Sequence, residues 1–245
     1  MRLVIFFIGI VMLFGCKKSA DRNCFKSTGE VSVKEIELGD FHQLYMGPHL
    51  KYVLVQSTEN KLKIVGGKNV INFVEPIIEG EVLKINNLNK CNFLRSYGKS
   101  ITVYIYFKDI YNITFEGTEE LTCLDRLNFQ NLFLAIRDGA GEFNLSLNAN
   151  SLQTVVTHGW GNFNLDGEVN YLKLEVRSNG FCNTNALTVK DSISVISKSS
   201  EIVKVNADSC FLRVETAGLG DVWYVGTPTS IIHHNNGVGS LLDKN

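Results

Sequence analysis

The sequence contains little proline and no segment that would separate two domains. Only 3 of its 245 residues are proline, and no proline- or serine-rich stretch interrupts the body of the chain. A chain of this length can bury a sizeable core, and all-β folds of this size often form one domain. The sequence therefore predicts a single domain over residues 31–245.

An excess of basic residues is also lacking. The chain has 24 lysines and arginines against 25 acidic residues, which gives a formal net charge of −1. Proteins that bind nucleic acid usually carry a basic stripe. This balance therefore argues against nucleic acid as a partner.

No hydrophobic run near the N-terminus is long enough to span a membrane. The apolar run from Leu3 to Phe14 is far shorter than the roughly 20 residues of a membrane-spanning helix. It follows the basic Arg2, an arrangement typical of a signal peptide over residues 1–15. The run ends at Gly15-Cys16, which resembles a bacterial lipobox, so we expect acylation of Cys16. An ordinary cleaved signal peptide, with Cys16 as a bystander, is the alternative.

The expected lipid anchor also predicts a location. Several acyl chains would hold the protein firmly on a membrane, since each buried methylene contributes about 0.8 kcal/mol. Residues 16–30 are polar and predict a tether. Lys17 and Lys18 follow the cysteine without an acidic cluster resembling a surface-export signal. We therefore expect an outer-membrane lipoprotein on the periplasmic face rather than on the cell surface.

Cysteine pairs with the spacing of a metal site are absent. An odd number of cysteines follows Cys16, so at least one thiol stays unpaired. A Cys24–Cys91 disulfide is conceivable, and small buried thiols are the other interpretation. The sequence predicts neither a metal site nor a cofactor. The cysteines concerned are Cys24, Cys91, Cys123, Cys182 and Cys210.

Helical patterns are nearly absent from residue 31 onward. Apolar and polar residues alternate in short runs, for example over 62–65 and 101–107, and Gly, Asn and Asp separate the runs. Alternation of this kind is typical of half-buried strands. Residues 69–74 are the exception and predict a single helical turn or a bent connection. The sequence therefore predicts an all-β protein.

Short turns recur at a nearly fixed spacing in the second half of the chain. They begin at Gly139, Gly159, Asn179, Ser199, Gly218 and Gly237, in steps of 20, 20, 20, 19 and 19 residues. A fixed period with strand-like filling indicates a stacked repeat fold. Glycine at these turns would supply a positive φ or a close backbone approach. The turn glycines are Gly139, Gly141, Gly159, Gly161, Gly218, Gly220, Gly237 and Gly239.

Matching positions of the repeats carry similar side chains. The third position before the turn is Ile136, Val156, Val176 and Ile196. The fourth position after it is Phe143, Phe163, Asn183 and Val203. This pattern favours a solenoid with coils of about 20 residues, stacked about 4.8 Å apart with Phe143 beside Phe163. An antiparallel meander is the alternative, since hairpin turns also favour glycine.

Asparagine and tryptophan are the candidate ligand-facing residues. Asn144 and Asn164 fall at one phase of the repeat, where stacked amides can bond to each other on the outside or at a corner. Trp160 lies in a turn, and Trp223 lies in a strand beside apolar residues. Exposed aromatic rings bind sugars by stacking and also anchor protein interfaces. A tryptophan that only covers the core is the alternative.

Candidate catalytic residues are harder to assemble. Asp138, His158, Ser178 and Lys198 share one phase just before the turn, although Asp and Ser also commonly open tight turns. Residues 116–120 include three glutamates, which we interpret as a solvated edge.

A histidine pair follows near the C-terminus. The side chains of His233 and His234 should point to opposite faces of a strand, which argues against a shared metal ion.

The order of these motifs resembles a known family. Residues 33–85 contain Phe41, a Leu62–Gly66 run and a Gly80–Ile85 run, and the Gly-x-Gly turns and Phe-Asn pairs follow. Together they resemble the putative autotransporter adhesin, head GIN domain family, a group of envelope proteins common in Bacteroidetes. The resemblance covers about residues 31–242 and implies a right-handed β-helix-like fold with an adhesive or structural role. It implies no catalytic residue.

These observations predict a non-catalytic binding, adhesive or structural protein of the cell envelope, with a glycan or an envelope protein as its partner. A polysaccharide lyase or glycosidase on the same scaffold is the alternative. No capping helix is predicted after the Gly237 turn, and an uncapped solenoid end is a sheet edge. We therefore expect either self-association at that end or a C-terminal segment folded across it.

Overall fold

The computed structural model describes residues 27–89, 100–157, 159, 162–177 and 179–245. These residues form an all-β structure without an α-helix. The predicted helical turn is a 3₁₀ turn at Ile71–Phe73. Several predicted features lie outside the described residues: the signal peptide, Cys16, Cys24, Cys91, His158, Trp160, Gly161 and Ser178.

The first half of the described chain contains short strands. They are β1 (Val31–Glu37), β2 (Gln43–Met46), β3 (Lys51–Gln56), β4 (Lys61–Gly67), β5 (Val74–Glu79), β6 (Val82–Asn87), β7 (Thr102–Phe107), β8 (Asn112–Phe115) and β9 (Leu121–Cys123).

The repeat region contains longer strands that bend around corners. They are β10 (Leu127–Arg137), β11 (Glu142–Thr157), β12 (Asn162–Val176), β13 (Cys182–Ser197), β14 (Val203–Asn206), β15 (Phe211–Thr216), β16 (Val222–Val225), β17 (Ser230–Asn235) and β18 (Leu241–Asp243).

The repeats stack in parallel, one coil on the next. Strand β11 pairs with β12 in parallel register, and Phe143 is the direct partner of Phe163. The result is a single-domain β-solenoid of about 6 turns, as predicted. The antiparallel meander is therefore wrong for the repeat region. The right-handedness implied by the family resemblance stays a prediction.

Two predicted alignments are each wrong by one residue. Phe163 pairs with Cys182 rather than Asn183, and Val176 pairs with Ser197 rather than Ile196. The pairing of β12 with β13 contains two register shifts, between Asn164 and Asp166 and between Val169 and Tyr171. These irregularities place extra residues in β13, so a constant period in the sequence misaligns this one coil.

The N-terminal end of the stack departs from a simple coil order. Strand β2 lies between β6 and β8 and is parallel to both. Strand β4 pairs with β1 and β7 in antiparallel register, and β5 is antiparallel to β6. Antiparallel strands therefore close the end at which the solenoid begins.

Alternation along each strand separates the core from the surface. In β11 every second residue from Phe143 to Ala149 is buried, and burial resumes at Leu152. The two intervening residues, Asn150 and Ser151, both face outward and form a corner. Like residues therefore form inward columns, and Phe143 also packs edge-on against Phe115, with ring centroids 5.9 Å apart.

Close approach of backbone explains the turn glycines. A Cβ atom on Gly141 would lie 2.1 Å from the carbonyl oxygen of Glu119 in the preceding coil. On Gly239 it would lie 2.0 Å from the carbonyl oxygen of Gly220. Of the predicted turn glycines that the structure describes, only Gly159 has a positive φ, at +95°. Proximity between coils, rather than backbone dihedral angle, thus selects glycine at most of these turns.

Candidate functional site

One outward row of side chains runs the length of the solenoid. Direct strand partners connect it through eleven strands, from β1 to β18. At about 4.8 Å per strand, its ends lie roughly 50 Å apart. We call it the outer column, and its members in spatial order are Glu35, Lys63, Tyr104, Val53, Thr122, Asn144, Asn164, Asn183, Lys204, Trp223 and Leu242.

The middle of the outer column is an amide ladder. Asn164 Nδ2 donates a hydrogen bond of 2.7 Å to Asn144 Oδ1 in the neighbouring coil. Both side chains are half-buried and face outward, because their strand neighbours point into the core. The stacked asparagines predicted from the repeat phase therefore bond to each other on an outer face. Asn183 follows next in the row.

Trp223 lies three strands beyond Asn164 in the same column. Its side chain is half-buried, and two lysine ammonium groups lie over its ring, Lys204 Nζ at 5.3 Å and Lys244 Nζ at 4.5 Å from the ring centroid. Its indole Nε1 is enclosed and has no hydrogen-bond partner among the described residues. The sequence placed Trp223 and the asparagines among ligand-facing residues, and the register places them in one row.

Aromatic rings and lysines also meet near the opposite end of the column. Lys63 Nζ lies 5.8 Å from the centroid of the Tyr104 ring, and Lys61 Nζ lies 4.9 Å from that of Tyr106. Glu35 and Glu37 are the strand partners of these two lysines. Acidic residues therefore lie beside both lysines at this end.

A polar cluster beside the asparagines is the nearest approach to a catalytic arrangement. Ser146 Oγ donates a 2.6 Å hydrogen bond to Asp166 Oδ1, and Arg126 Nη2 lies 3.3 Å from the same oxygen. Arg126 Nε also donates to Ser146 Oγ at 3.0 Å. The cluster contains one carboxylate, and that carboxylate already accepts bonds from both neighbours. Glycoside hydrolysis needs a second carboxylate at a suitable distance.

The other candidate catalytic residues are dispersed or lie outside the described part. Asp138 has a positive φ of 49°, which suits a residue that opens a tight turn. Glu116 accepts a hydrogen bond from Tyr45, Glu119 lies 3.6 Å from His49, and Glu120 lies 3.8 Å from Lys51. Each of the three glutamates thus contacts a different residue, and they do not converge on one site.

The histidine pair divides between two faces, as predicted. His233 is the strand partner of the buried Val214, and its Nε2 lies 3.0 Å from Thr216 Oγ1. His234 is the partner of Glu215 on the opposite face. Throughout the described ranges, no group of three His, Cys, Asp or Glu residues could hold a metal ion.

Burial raises the pKa of each described cysteine thiol. Cys182 lies fully inside the core, where burial raises its pKa well above the ordinary value. Burial also raises the pKa of Cys123 and Cys210. The three thiols are free, and Cys182 and Cys210 fit the interpretation of small buried thiols, whereas Cys123 is half-buried. A thiol with a raised pKa is a poor nucleophile.

Two further amide ladders were missed in the sequence. Asn170 Nδ2 donates to Asn150 Oδ1 at 3.0 Å at the corner of the coil, and Asn148 Nδ2 donates to Asn128 Oδ1 at 3.1 Å. Each pair is separated by 20 residues, so the repeat period itself was the available signal. Lys204 was also missed, although it lies one repeat step of 19 residues before Trp223, and only the structure places Lys244 over the Trp223 ring.

The structural comparisons show the same fold in solved proteins. A putative adhesin from Bacteroides fragilis has a TM-score of 0.73 and 18% identity, covering 88% of this chain and 97% of that chain. A putative adhesin from Parabacteroides distasonis has a TM-score of 0.69 and 16% identity, over 88% and 98% of the two chains. A putative lipid binding protein from the same species has a TM-score of 0.59 and 14% identity, with the same coverage.

Comparison with curated proteins finds no match. No helix within the described ranges combines the length and the hydropathy that crossing a bilayer requires. A family model described as putative auto-transporter adhesin, head GIN domain, matches residues 40–228, which is well over half of the sequence. The chain therefore belongs to the head GIN domain family of putative auto-transporter adhesins.

Proposed function

We propose that this protein is a lipid-anchored, non-catalytic protein of the cell envelope that binds an extended glycan along the outer column. The observation that carries the proposal is the 2.7 Å hydrogen bond between Asn164 and Asn144, which orders two amides on an outward face. The description of the family as adhesins supports a binding role.

The amide ladder has spare hydrogen-bonding capacity. A carboxamide offers two N–H donors and two acceptor lone pairs, and the bond between Asn164 and Asn144 uses one donor and one acceptor. The remaining groups can bond to hydroxyls of a ligand. Because the ladder already fixes the side chains, binding loses less conformational entropy than it would with free rotamers.

The spacing of the column favours a repeating ligand. Neighbouring strands lie about 4.8 Å apart, which is close to the repeat of a β-linked pyranose chain. Successive sugar units can therefore meet successive amides in Asn144, Asn164 and Asn183. A sheet surface with its polar groups in register suits an extended chain better than a compact ligand.

The location rests on the N-terminal sequence. The apolar run before Gly15-Cys16 supports acylation of Cys16. An outer-membrane anchor with the body on the periplasmic face completes the proposal. The enzyme alternative has less support, since the Arg126–Ser146–Asp166 cluster contains a single carboxylate that is already engaged.

A glycan array probed with the full-length protein tests this proposal. The array should identify at least one extended polysaccharide, and the double variant Asn144→Ala/Asn164→Ala should lower the affinity for it by about tenfold. The matched control is Asn150→Ala/Asn170→Ala, which removes a ladder of the same kind at the corner. The control should bind as well as the parent.

Three results would contradict the proposal. Equal losses in the two double variants would show a general loss of fold rather than a binding site. Release of new reducing ends or unsaturated products from the bound polysaccharide would show catalysis. If no glycan binds and an envelope protein is recovered with the chain, the partner is a protein.

A further inference from the structure

We propose that the C-terminal end of the outer column is an anion site that selects the carboxylates of an acidic glycan, such as a chain of uronic acids. The site consists of Lys204, Trp223 and Lys244. The proposal refines the glycan-binding role above, because it names the charge of the ligand and the end of the column that recognises it.

The tryptophan ring orders both lysines. Lys204 lies in β14, which pairs with the strand of Trp223 on one side. Lys244 directly follows β18, which pairs with that strand on the other side. The two ammonium groups therefore approach the ring from neighbouring coils. Lys204 Nζ also lies 5.0 Å from the centroid of the Phe181 ring. An ammonium group over an aromatic face is attracted by the ring quadrupole. The contacts therefore restrict two long side chains before any ligand arrives.

Neither lysine is neutralised by an ion pair. The ion pairs between described residues involve other basic groups, and none of them includes Lys204 or Lys244. The direct strand partners of Lys204 are the uncharged Asn183 and Trp223, and neither Asp221 nor Asp243 takes part in an ion pair between described residues. The two ammonium groups thus retain donors for an external anion.

The opposite end of the column differs in the strand partners of its lysines. Lys61 and Lys63 also lie over aromatic rings there, but Glu37 and Glu35 are their direct strand partners. Strand pairing therefore places carboxylates beside Lys61 and Lys63, whereas the strand partners of Lys204 are uncharged. An acidic ligand along the column would be attracted most strongly at Trp223.

The same contacts change the expected role of Trp223. An aromatic ring binds a sugar by stacking only if one face is open, and the two lysines lie over the Trp223 ring. We infer that Trp223 positions ammonium groups rather than stacking on a pyranose ring.

Binding of two hexasaccharides of equal length tests the proposal. One probe is oligomannuronate, a β-1,4-linked chain of uronic acids, and the other is its fully methyl-esterified form, which has the same backbone without charge. The full-length protein should bind the acidic probe more tightly at low salt, with a preference that shrinks as salt rises. Lys204→Gln/Lys244→Gln should weaken binding of the acidic probe by about tenfold and leave the neutral probe unchanged.

Lys61→Gln/Lys63→Gln is the matched control, because it removes two lysines that lie over rings on the same face. The control should keep the preference for the acidic probe. Equal affinity of the parent for the two probes, or equal losses in the two double variants, would overturn the anion site.

The outcomes separate this inference from the function on which it rests. If neutral glycans bind through Asn144 and Asn164 and the acidic probe gains nothing, only the anion site is wrong. If the acidic probe binds through the lysines and the asparagine variants have no effect, the anion site stands and the amide ladder is not the binding surface.

Discussion

The side chains of Asn144 and Asn164 lie 20 residues apart in sequence and are joined by a 2.7 Å hydrogen bond between adjacent coils. The bond runs along the stacking direction, in parallel with the backbone hydrogen bonds between β11 and β12. It therefore contributes to the cohesion of the stack and to the order of the outer face.

The energy of this bond can be measured. Asn164→Ala and Asn144→Ala should each lower the free energy of unfolding by about 1 kcal/mol, because each removes one partner of a half-buried hydrogen bond. The double variant should lose less than the sum, since both changes remove the same bond. Denaturant unfolding of the parent, the two single variants and the double variant gives a double-mutant cycle for this bond. Strict additivity would show that the amides do not interact in solution.

Glycine at the turns is required by contact between coils. Gly141→Ala should lower the free energy of unfolding by about 2 kcal/mol, because its Cβ would lie 2.1 Å from the carbonyl oxygen of Glu119. Gly39→Ala is the control, since its Cβ would find its nearest atom, Ile78 Cδ1, at 3.8 Å. Thermal unfolding compares the two variants. A similarly small loss of stability in both variants would mean that the turn can shift to accommodate the added Cβ atom.

Tyr45 should lose its proton at a higher pH than an ordinary tyrosine. The hydrogen bond that it donates to Glu116, together with burial, raises the pKa of Tyr45 from 10.0 to about 12. The folded-state pKa lies above the unfolded value, so the stability it contributes is fully present below pH 10 and is lost as the pH rises through about 12. Glu116→Gln should lower the pH at which Tyr45 ionises.

Ultraviolet absorbance of the phenolate follows this titration. The difference between the parent and Tyr45→Phe isolates Tyr45 from the other tyrosines. A Tyr45 transition at an ordinary pH in the parent would contradict the hydrogen bond to Glu116.

The end of the solenoid at β17 should bind a second copy of the chain. All six residues of β17 are exposed, and the strand contains neither proline nor an acidic residue, lysine or arginine. At the opposite end, β5 carries Pro76 with Glu75 and Glu79, features that protect a sheet edge from pairing. The contrast points to association at one end only.

Light scattering during size-exclusion chromatography tests this association. The parent should form a dimer, and Ile232→Lys should shift it to monomer. Ile77→Lys is the control at the protected end, where the side chain is 40% exposed against 44% for Ile232. A parent that remains monomeric at high concentration would remove the prediction.

Cys16 should decide membrane attachment. Cys16→Ala should move the protein from the membrane fraction to the soluble fraction, because the acylated thiol is lost. Cys24→Ala should leave the distribution unchanged. Mass spectrometry of the N-terminal peptide should show the acyl chains in the parent. Protease accessibility on intact cells tests the periplasmic orientation, since a body that is cleaved from outside would face the surface.

Much of the fold was readable from the sequence because its signals are local. Alternation identifies strands within a few residues, and a period close to the length of one coil identifies stacking. Phe143 and Phe163 could therefore be placed side by side, and Asn144 and Asn164 beside each other on the outside. The turn glycines could be recognised, although their cause is contact between coils at most of the described positions.

Register and long-range order could not be read in the same way. The irregular pairing of β12 with β13 places Cys182 beside Phe163. No local sequence pattern in β13 indicates this shift in register. The position of β2 between β6 and β8 depends on pairings between residues far apart in the chain. The energies of such contacts depend on partners that only the folded chain brings together.

The sequence alone determined that this chain is built of short strands in stacked coils, because spacing and alternation are properties of neighbouring residues. Only the tertiary structure decided that Tyr104, which lies outside the repeat region, shares one outward row with the asparagines and Trp223. It also decided that Lys204 and Lys244 meet at Trp223 while Glu35 and Glu37 face the lysines of the opposite end. The reason is that strand register, accumulated over eleven strands, converts distant residues into neighbours.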